Sequence, residues 1–320
     1  MKKVISLLLA AVMLCTVLCG CAPAREQEGI KIVCTIFPLY DWMRELTAGS
    51  EDVELILIAD NGADMHSYQP TTGDIVDIST CDMLVYTGGE SEEWVEETTE
   101  RSGSGHMKKA AMLEMLGEEA LCAAPHDHHD EDSHAHHHDH DAKDEHVWLS
   151  PRRAMELCAE LSGMLCEMDA GNADIYRANA ERYIGMLTEL DEAYTKAADS
   201  ASAPSLLFAD RFPFRYLAAD YGLACRAAFD GCEAETEAGF ETVAELVSVM
   251  DTQHLDCVLI IDGSEPDLAR TIIDASSREG AEILTLDSLQ SVTAADIASG
   301  VTYIETMESN LEILRAALGC

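Results

Sequence analysis

"YRANAERYIGMLTELDEAYT", residues 176–195, decides how the rest of the chain is arranged. Tyr176, Ala180, Tyr183, Leu187, Leu190 and Tyr194 recur at spacings of four and three, the seam of one amphipathic helix. From Pro151 to about residue 200 no strand signal appears. Pro151 suits the first turn of a helix reaching residue 168, and "DAGN" (169–172) breaks it. The seam then describes a second helix of roughly 25 residues, about 35 Å long. With α/β material on both sides, such a helix reads as a backbone joining two lobes. The alternative is an ordinary surface helix.

Outward from that helix, short apolar runs alternate with helical patterns. Strands are predicted at 30–35, 53–58 and 83–86 on one side, and at 205–209, 225–229, 257–261 and 282–286 on the other. Helical patterns fall between them, such as "FETVAELVSVM" from Phe240 and "LARTIIDASSREG" from Leu268. This alternation predicts an α/β fold of two lobes with mainly parallel sheets, joined by a single long rigid helix. The boundaries follow: an N-terminal lobe over 29–150, a helical region over 151–200, and a C-terminal lobe over 201–320, entered through "SASAP" (200–204).

The first residues read differently. Two lysines precede the apolar run "VISLLLAAVMLCTVL", the layout of a secretory signal over 1–20. Leu18, Cys19, Gly20 and Cys21 resemble a bacterial lipobox, which makes Cys21 the lipidated first residue of the mature chain and 21–28 a tether. The expected location is the outer side of the cytoplasmic membrane, held by a lipid that does not cross it. Ordinary cleavage with release is the alternative. The net charge is −40, and losing two lysines with the signal makes it −42. Such acidity argues against nucleic acid as a partner and attracts cations. The cysteines are scattered without a CxxC pair, and only Cys225 and Cys232, flanking "RAAFDG", suggest a local disulfide.

Histidine and carboxylate carry the chemistry. Nine of the twelve histidines lie between residues 126 and 146, interleaved with Asp and Glu in a run too polar to bury a core. His126, His128, His129, His134, His136, His137, His138 and His140 read as an accessory metal-collecting loop within 126–145, with a mere acidic spacer as the alternative. His146, in "DEHVWLSP", belongs to the structured part. His66 lies in "NGADMHSYQPTTGDI" after a predicted strand, Asp210 ends the strand of "LLFADRF", and Asp287 ends that of "ILTLDSL". Ligands of open α/β sheets bind at strand C-termini, and imidazole with carboxylate suits zinc or manganese. His106 and His254 read as surface residues.

Five segments, "HSYQPTTGDI", "CDMLVYTGGESEEW", "HVWLSP", "YRANAERY" and "RYLAADYGL", occur in order along the mature chain. In them the chain resembles the metal-binding lipoproteins of ATP-driven zinc and manganese uptake systems. The resemblance implies two α/β lobes joined by one rigid helix, with a metal between the lobes. It also implies an ABC permease as partner and no catalysis. Its zinc branch carries a His- and acid-rich loop at this position. Carried over by position, the ligands are His66, His146 and Asp287. The third ligand position falls on Arg211, which stays protonated and cannot coordinate a cation. A one-residue shift offers Asp210 and leaves Arg211 to pair with a nearby carboxylate; Glu235 is a weaker substitute.

The expected function is therefore capture of Zn2+ outside the cytoplasm by a monomeric binding protein, with Mn2+ as the alternative cargo. An exported metallohydrolase is the rival from another class. Neither HExxH nor GxSxG occurs in the chain. An extracellular metal buffer or adhesin on the same fold is a third reading.

Overall fold

A computed structural model describes residues 29–102, 105, 107–122, 143–201, 205–229 and 238–319. The signal, Cys21, His106, the histidines from 126 to 140, Cys232 and Glu235 lie outside the described residues.

The first lobe holds strands β1 (Ile30–Cys34), β2 (Val53–Leu57), β3 (Met83–Tyr86) and β4 (Lys108–Ala111). Around them lie helices α1 (Phe37–Leu46), α2 (Thr72–Thr80), α3 (Glu93–Ser102) and α4 (Met112–Leu116). Two helices follow, α5 (Pro151–Met168) and α6 (Ala173–Ser200). The second lobe has β5 (Ser205–Phe208), α7 (Arg215–Tyr221), β6 (Ala224–Ala227), α8 (Phe240–Thr252), β7 (Cys257–Ile261), α9 (Asp267–Ala275) and β8 (Glu282–Leu286). It closes with α10 (Ala294–Ser299) and α11 (Tyr303–Leu318). The strand orders are β2-β1-β3-β4 and β6-β5-β7-β8, and every strand pairing is parallel. Both lobes thus repeat one topology, whose order reverses beside the first strand of each.

Among the described residues, seven of the eight strands lie where the apolar runs predict them. β4 has no such run, because "KKAA" has two lysines and no β-branched residue. It forms by registering against β3, with Ala110 and Ala111 buried on opposite faces of the sheet. The seam of the decisive stretch is fully used. Tyr176, Ala180, Tyr183, Leu187, Leu190 and Tyr194 are all buried along α6, which spans 28 residues and so about 42 Å.

Helix α6 ties both lobes to itself. Asn179 Nδ2 donates to the carbonyls of Leu46 and Ala48 at the end of α1 (3.0 and 2.8 Å), and Tyr194 Oη donates to Met307 O on α11 (2.8 Å). Alternating residues face opposite sides of each sheet. Ile32 and Cys34 of β1 and Leu259 and Ile261 of β7 share one continuous core with α5, α6 and α11. Val33 and Leu84 face a separate cluster beneath α2 and α3, whereas Val258 and Ile260 face another beneath α8 and α9. Both sheets therefore back onto the same helical layer, which fixes the loops at their strand ends relative to one another.

Candidate metal site

Two loops bring the candidate histidines together. His66 sits in a 3-10 turn, Met65–Ser67, in the loop after β2. His146 precedes another, Val147–Leu149, which leads through Ser150 into α5. The second position differs from the expectation of a strand end. The segment before His146 is held instead by Asp144 N–H donating to Cys122 O (3.0 Å).

The two Nε2 atoms lie 3.0 Å apart, with the rings tilted by 45°. Two ligands of a tetrahedral zinc, each at about 2.0–2.1 Å, stand about 3.3 Å from one another. The outer nitrogens are engaged separately. His146 Nδ1 donates to Asp144 Oδ1 (3.1 Å), and His66 Nδ1 lies 2.6 Å from Ser91 Oγ. An imidazole that donates through Nδ1 keeps its lone pair on Nε2. With both rings in that tautomer, two lone pairs converge on one point, a donor set that a divalent cation satisfies.

Around the pair lies a supporting layer that the sequence patterns do not reveal. Ser91 N–H donates to Glu145 Oε1 (2.9 Å), and Glu145 Oε2 lies 3.8 Å from His66 Nδ1. One residue thus joins the loop of His66's partner to the neighbour of His146. Asp64 and Asp144 each stand two residues before a histidine and accept that histidine's backbone N–H at 3.0 Å. "DMH" and "DEH" are the signal that finds them, since Asp readily accepts from the N–H two residues on. Arg211 Nη1 binds Asp64 Oδ2 at 2.8 Å, the carboxylate partner predicted for it.

Burial, the neighbouring His146 and the Arg211 cation hold the His66 imidazole down to about 4, against an opposing pull from Asp64. Burial pushes the Glu145 carboxyl above the usual carboxylate range. Burial also opposes ionisation of Asp64, but the His66 N–H and Arg211 outweigh it and hold that carboxyl low.

The two aspartates expected from the second lobe both accept main-chain hydrogen bonds. Asp210 accepts from Arg211 N–H through Oδ1 (2.8 Å) and from Ile261 N–H through Oδ2 (3.1 Å). Oδ2 therefore ties the end of β5 to that of β7, while Oδ1 closes on the next residue. Asp287 accepts from Leu289 N–H (2.7 Å) and lines a cavity of about 330 Å³ with Asp262, Thr302 and Asn310. Burial and Asp262 push its carboxyl up to about 6. Among the described residues, no group of three or more His, Cys, Asp and Glu side chains comes together as a metal cluster. The histidine pair is the part of the expected ligand set that the described residues bring together.

Residues 32–317 match the family described as ZnuA, the periplasmic zinc-uptake complex component A. The chain belongs to this family. It is 30% identical to the zinc-binding lipoprotein AdcA of Streptococcus pneumoniae over 317 residues, which cover 98% of this chain and 61% of that protein. It is 26% identical to the high-affinity zinc uptake system protein ZnuA of Bacillus subtilis, covering 97% of this chain and 96% of the relative. The crystal structure of the Zn(II)-bound ZnuA-like domain of Streptococcus pneumoniae AdcA superposes with a TM-score of 0.71 at 25% identity, covering 91% of this chain and all of that one. The chain spans 55–61% of the length of the AdcA proteins that it matches. The two-lobed α/β architecture of the family is thus the architecture of this chain.

Proposed function

We propose that this chain is an exported solute-binding lipoprotein that captures Zn2+ between its lobes and delivers it to an ABC permease. The observation that carries the reading is the His66–His146 pair, with Nε2 atoms 3.0 Å apart and outer nitrogens tied elsewhere. Zinc is the cargo, and the chain performs no covalent chemistry on it. The residues bind, orient and release. Burial keeps His66 neutral, and neutral imidazole is the metal-binding form. Asp144 fixes the ring of His146, while Ser91 and Glu145 fix that of His66.

Carboxylates from the second lobe complete the proposed ligand set. Asp287 keeps its place there, with one oxygen engaged by Leu289 N–H. Asp210 stays the weaker candidate, since each of its oxygens already accepts a main-chain N–H. Mn2+ is the alternative cargo, which an oxygen-richer ligand set favours. Cys21 is the proposed lipid site, holding the protein on the outer side of the cytoplasmic membrane. Among the described residues no helix is long and apolar enough to cross a membrane.

The test is competitive titration of the chain beginning after Cys21 with zinc and manganese, beside a variant lacking residues 126–141. One tight zinc site that survives the deletion, with only weaker sites lost, supports the reading. A tight site that disappears with the loop removes His66 and His146 from the main function.

A further inference from the structure

The two "D-x-H" units share more than a local turn. Asp64 and Asp144 both lie in the first lobe, and each holds its histidine through the backbone N–H. Each is also met by an arginine from one short segment of the second lobe, "RFPFR" (211–215). Arg211 Nη1 reaches Asp64 Oδ2 at 2.8 Å, and Arg215 Nε lies 3.5 Å from Asp144 Oδ2. Both arginine side chains are about three-quarters buried, at 24% exposure. Backbone contacts anchor the segment on both sides. Asp210 holds Arg211 N–H and Ile261 N–H, fixing the start to the sheet, while Phe214 O accepts from Ala218 N–H (2.8 Å) in the first turn of α7. Phe212 lies under the Arg215 guanidinium at 5.7 Å, and Tyr216 Oη donates to Asp144 O (2.8 Å).

We propose that Arg211 and Arg215 form a two-pronged fork through which the second lobe positions both histidines. This rests on the reading that the pair binds zinc. Neither arginine touches the ion. Each acts through an aspartate: Arg211 through Asp64 on His66, Arg215 through Asp144 on His146. The spacing of four residues suits the task, because the prongs reach two separate loops of the facing lobe from one rigid segment. A second set of contacts clamps the His66 loop to the same lobe. Ala294 N–H donates to Asp60 O (2.7 Å), and Asn61 bridges Thr293. Between that clamp and the fork the loop is held at both ends. Parting of the lobes therefore withdraws the fork and loosens both imidazoles together, which links lobe opening to release of the ion.

A simpler electrostatic account predicts the opposite sign. A guanidinium beside a cation site repels the cation, so its removal tightens binding. Positioning predicts weaker binding, since partners that orient metal ligands are typically worth 10- to 100-fold in affinity.

The experiment is zinc titration against a competing chelator on the full mature chain, with Arg211→Met, Arg215→Met, Arg211→Lys, Asp64→Asn and His66→Ala. We expect each methionine variant to weaken zinc about tenfold or more, and Arg211→Lys to recover most of the loss. Asp64→Asn keeps an oxygen for the His66 N–H but drops the ion pair. It should match Arg211→Met, and the two together should cost no more than either. Arg211→Met should add nothing in the His66→Ala background. Unchanged or tighter zinc binding in Arg211→Met and Arg215→Met overturns the fork. Additivity with His66→Ala overturns it too, because general destabilisation then suffices. If His66→Ala leaves tight zinc binding intact, the metal-site reading itself has failed, and the fork falls with it.

Discussion

Gly89 stands at φ +92°, where a side chain is strained, and a Cβ there would collide with the Glu145 carboxyl. The bare backbone lets Glu145 reach Ser91 N–H, and Ser91 Oγ in turn meets His66. Gly89→Ala should destabilise the fold by about 1–3 kcal/mol from the backbone strain, seen as a lower urea midpoint, and should weaken zinc by displacing Glu145. Ser91→Ala is the milder test, because it removes one hydroxyl. Its zinc dissociation constant should rise about 10- to 100-fold with little change in the unfolding midpoint, and Ser91→Thr should restore it. The residue types of the pair were legible in the sequence, and so was the inability of Arg211 to coordinate. The direction in which Asp210 points was not. That is decided by Ile261 N–H, 51 residues away, which no local pattern encodes. Ser91 escaped for the same reason, lying 25 residues from His66 in a loop with no metal-ligand signature.

At the scale of the element, α6 carries the two lobes. Leu187 is fully buried midway along it, so Leu187→Ala should cost about 2–5 kcal/mol, measured by chemical denaturation. Helix α1 meets α11 through Asp41, which is wholly buried, pairs with Arg44 and accepts the N–H of Tyr303 (2.8 Å). Burial pushes its carboxyl up to about 6, against the Tyr303 hydrogen bond and Arg44. The folded chain then binds more protons at this group than the unfolded chain between about pH 4 and 6. Unfolding free energy from this group therefore falls as pH rises through that window. Asp41→Asn removes the titration while keeping an oxygen for Tyr303. Relative to that variant, the wild type should lose about 2 kcal/mol between pH 4 and pH 7, since each tenfold change in proton affinity is worth about 1.36 kcal/mol and the unfolded carboxyl is already largely ionised at pH 4. A difference that stays flat with pH would show that Asp41 does not titrate there. The helical seam was legible because one face of α6 is buried along its whole length. β4 was not, because its formation depends on the neighbouring strand rather than on its own four residues.

For the whole molecule, two sheets of the same topology rest on one helical layer, and arginines of the second lobe reach the aspartates beside the first lobe's histidine pair. The architecture was legible from the alternation of runs and the long seam between them. The closeness of the lobes was not, since it depends on contacts such as Trp148 Nε1–H to Ser288 O (3.0 Å) and Tyr303 Oη–H to Trp148 O (2.6 Å). Those contacts join residues 140 and 155 positions apart. The chain as a whole is strongly acidic, at a net charge of −40, so cations concentrate near it within about a Debye length, some 8 Å at physiological salt. The central claim is that His66 and His146 together hold the captured ion. Its most direct test is zinc X-ray absorption on the chain lacking residues 126–141, loaded with one equivalent of Zn2+. Two imidazoles are expected at about 2.0–2.1 Å, with their outer-ring scattering lost in the His66→Ala, His146→Ala double variant. A spectrum that the double variant leaves unchanged would contradict it.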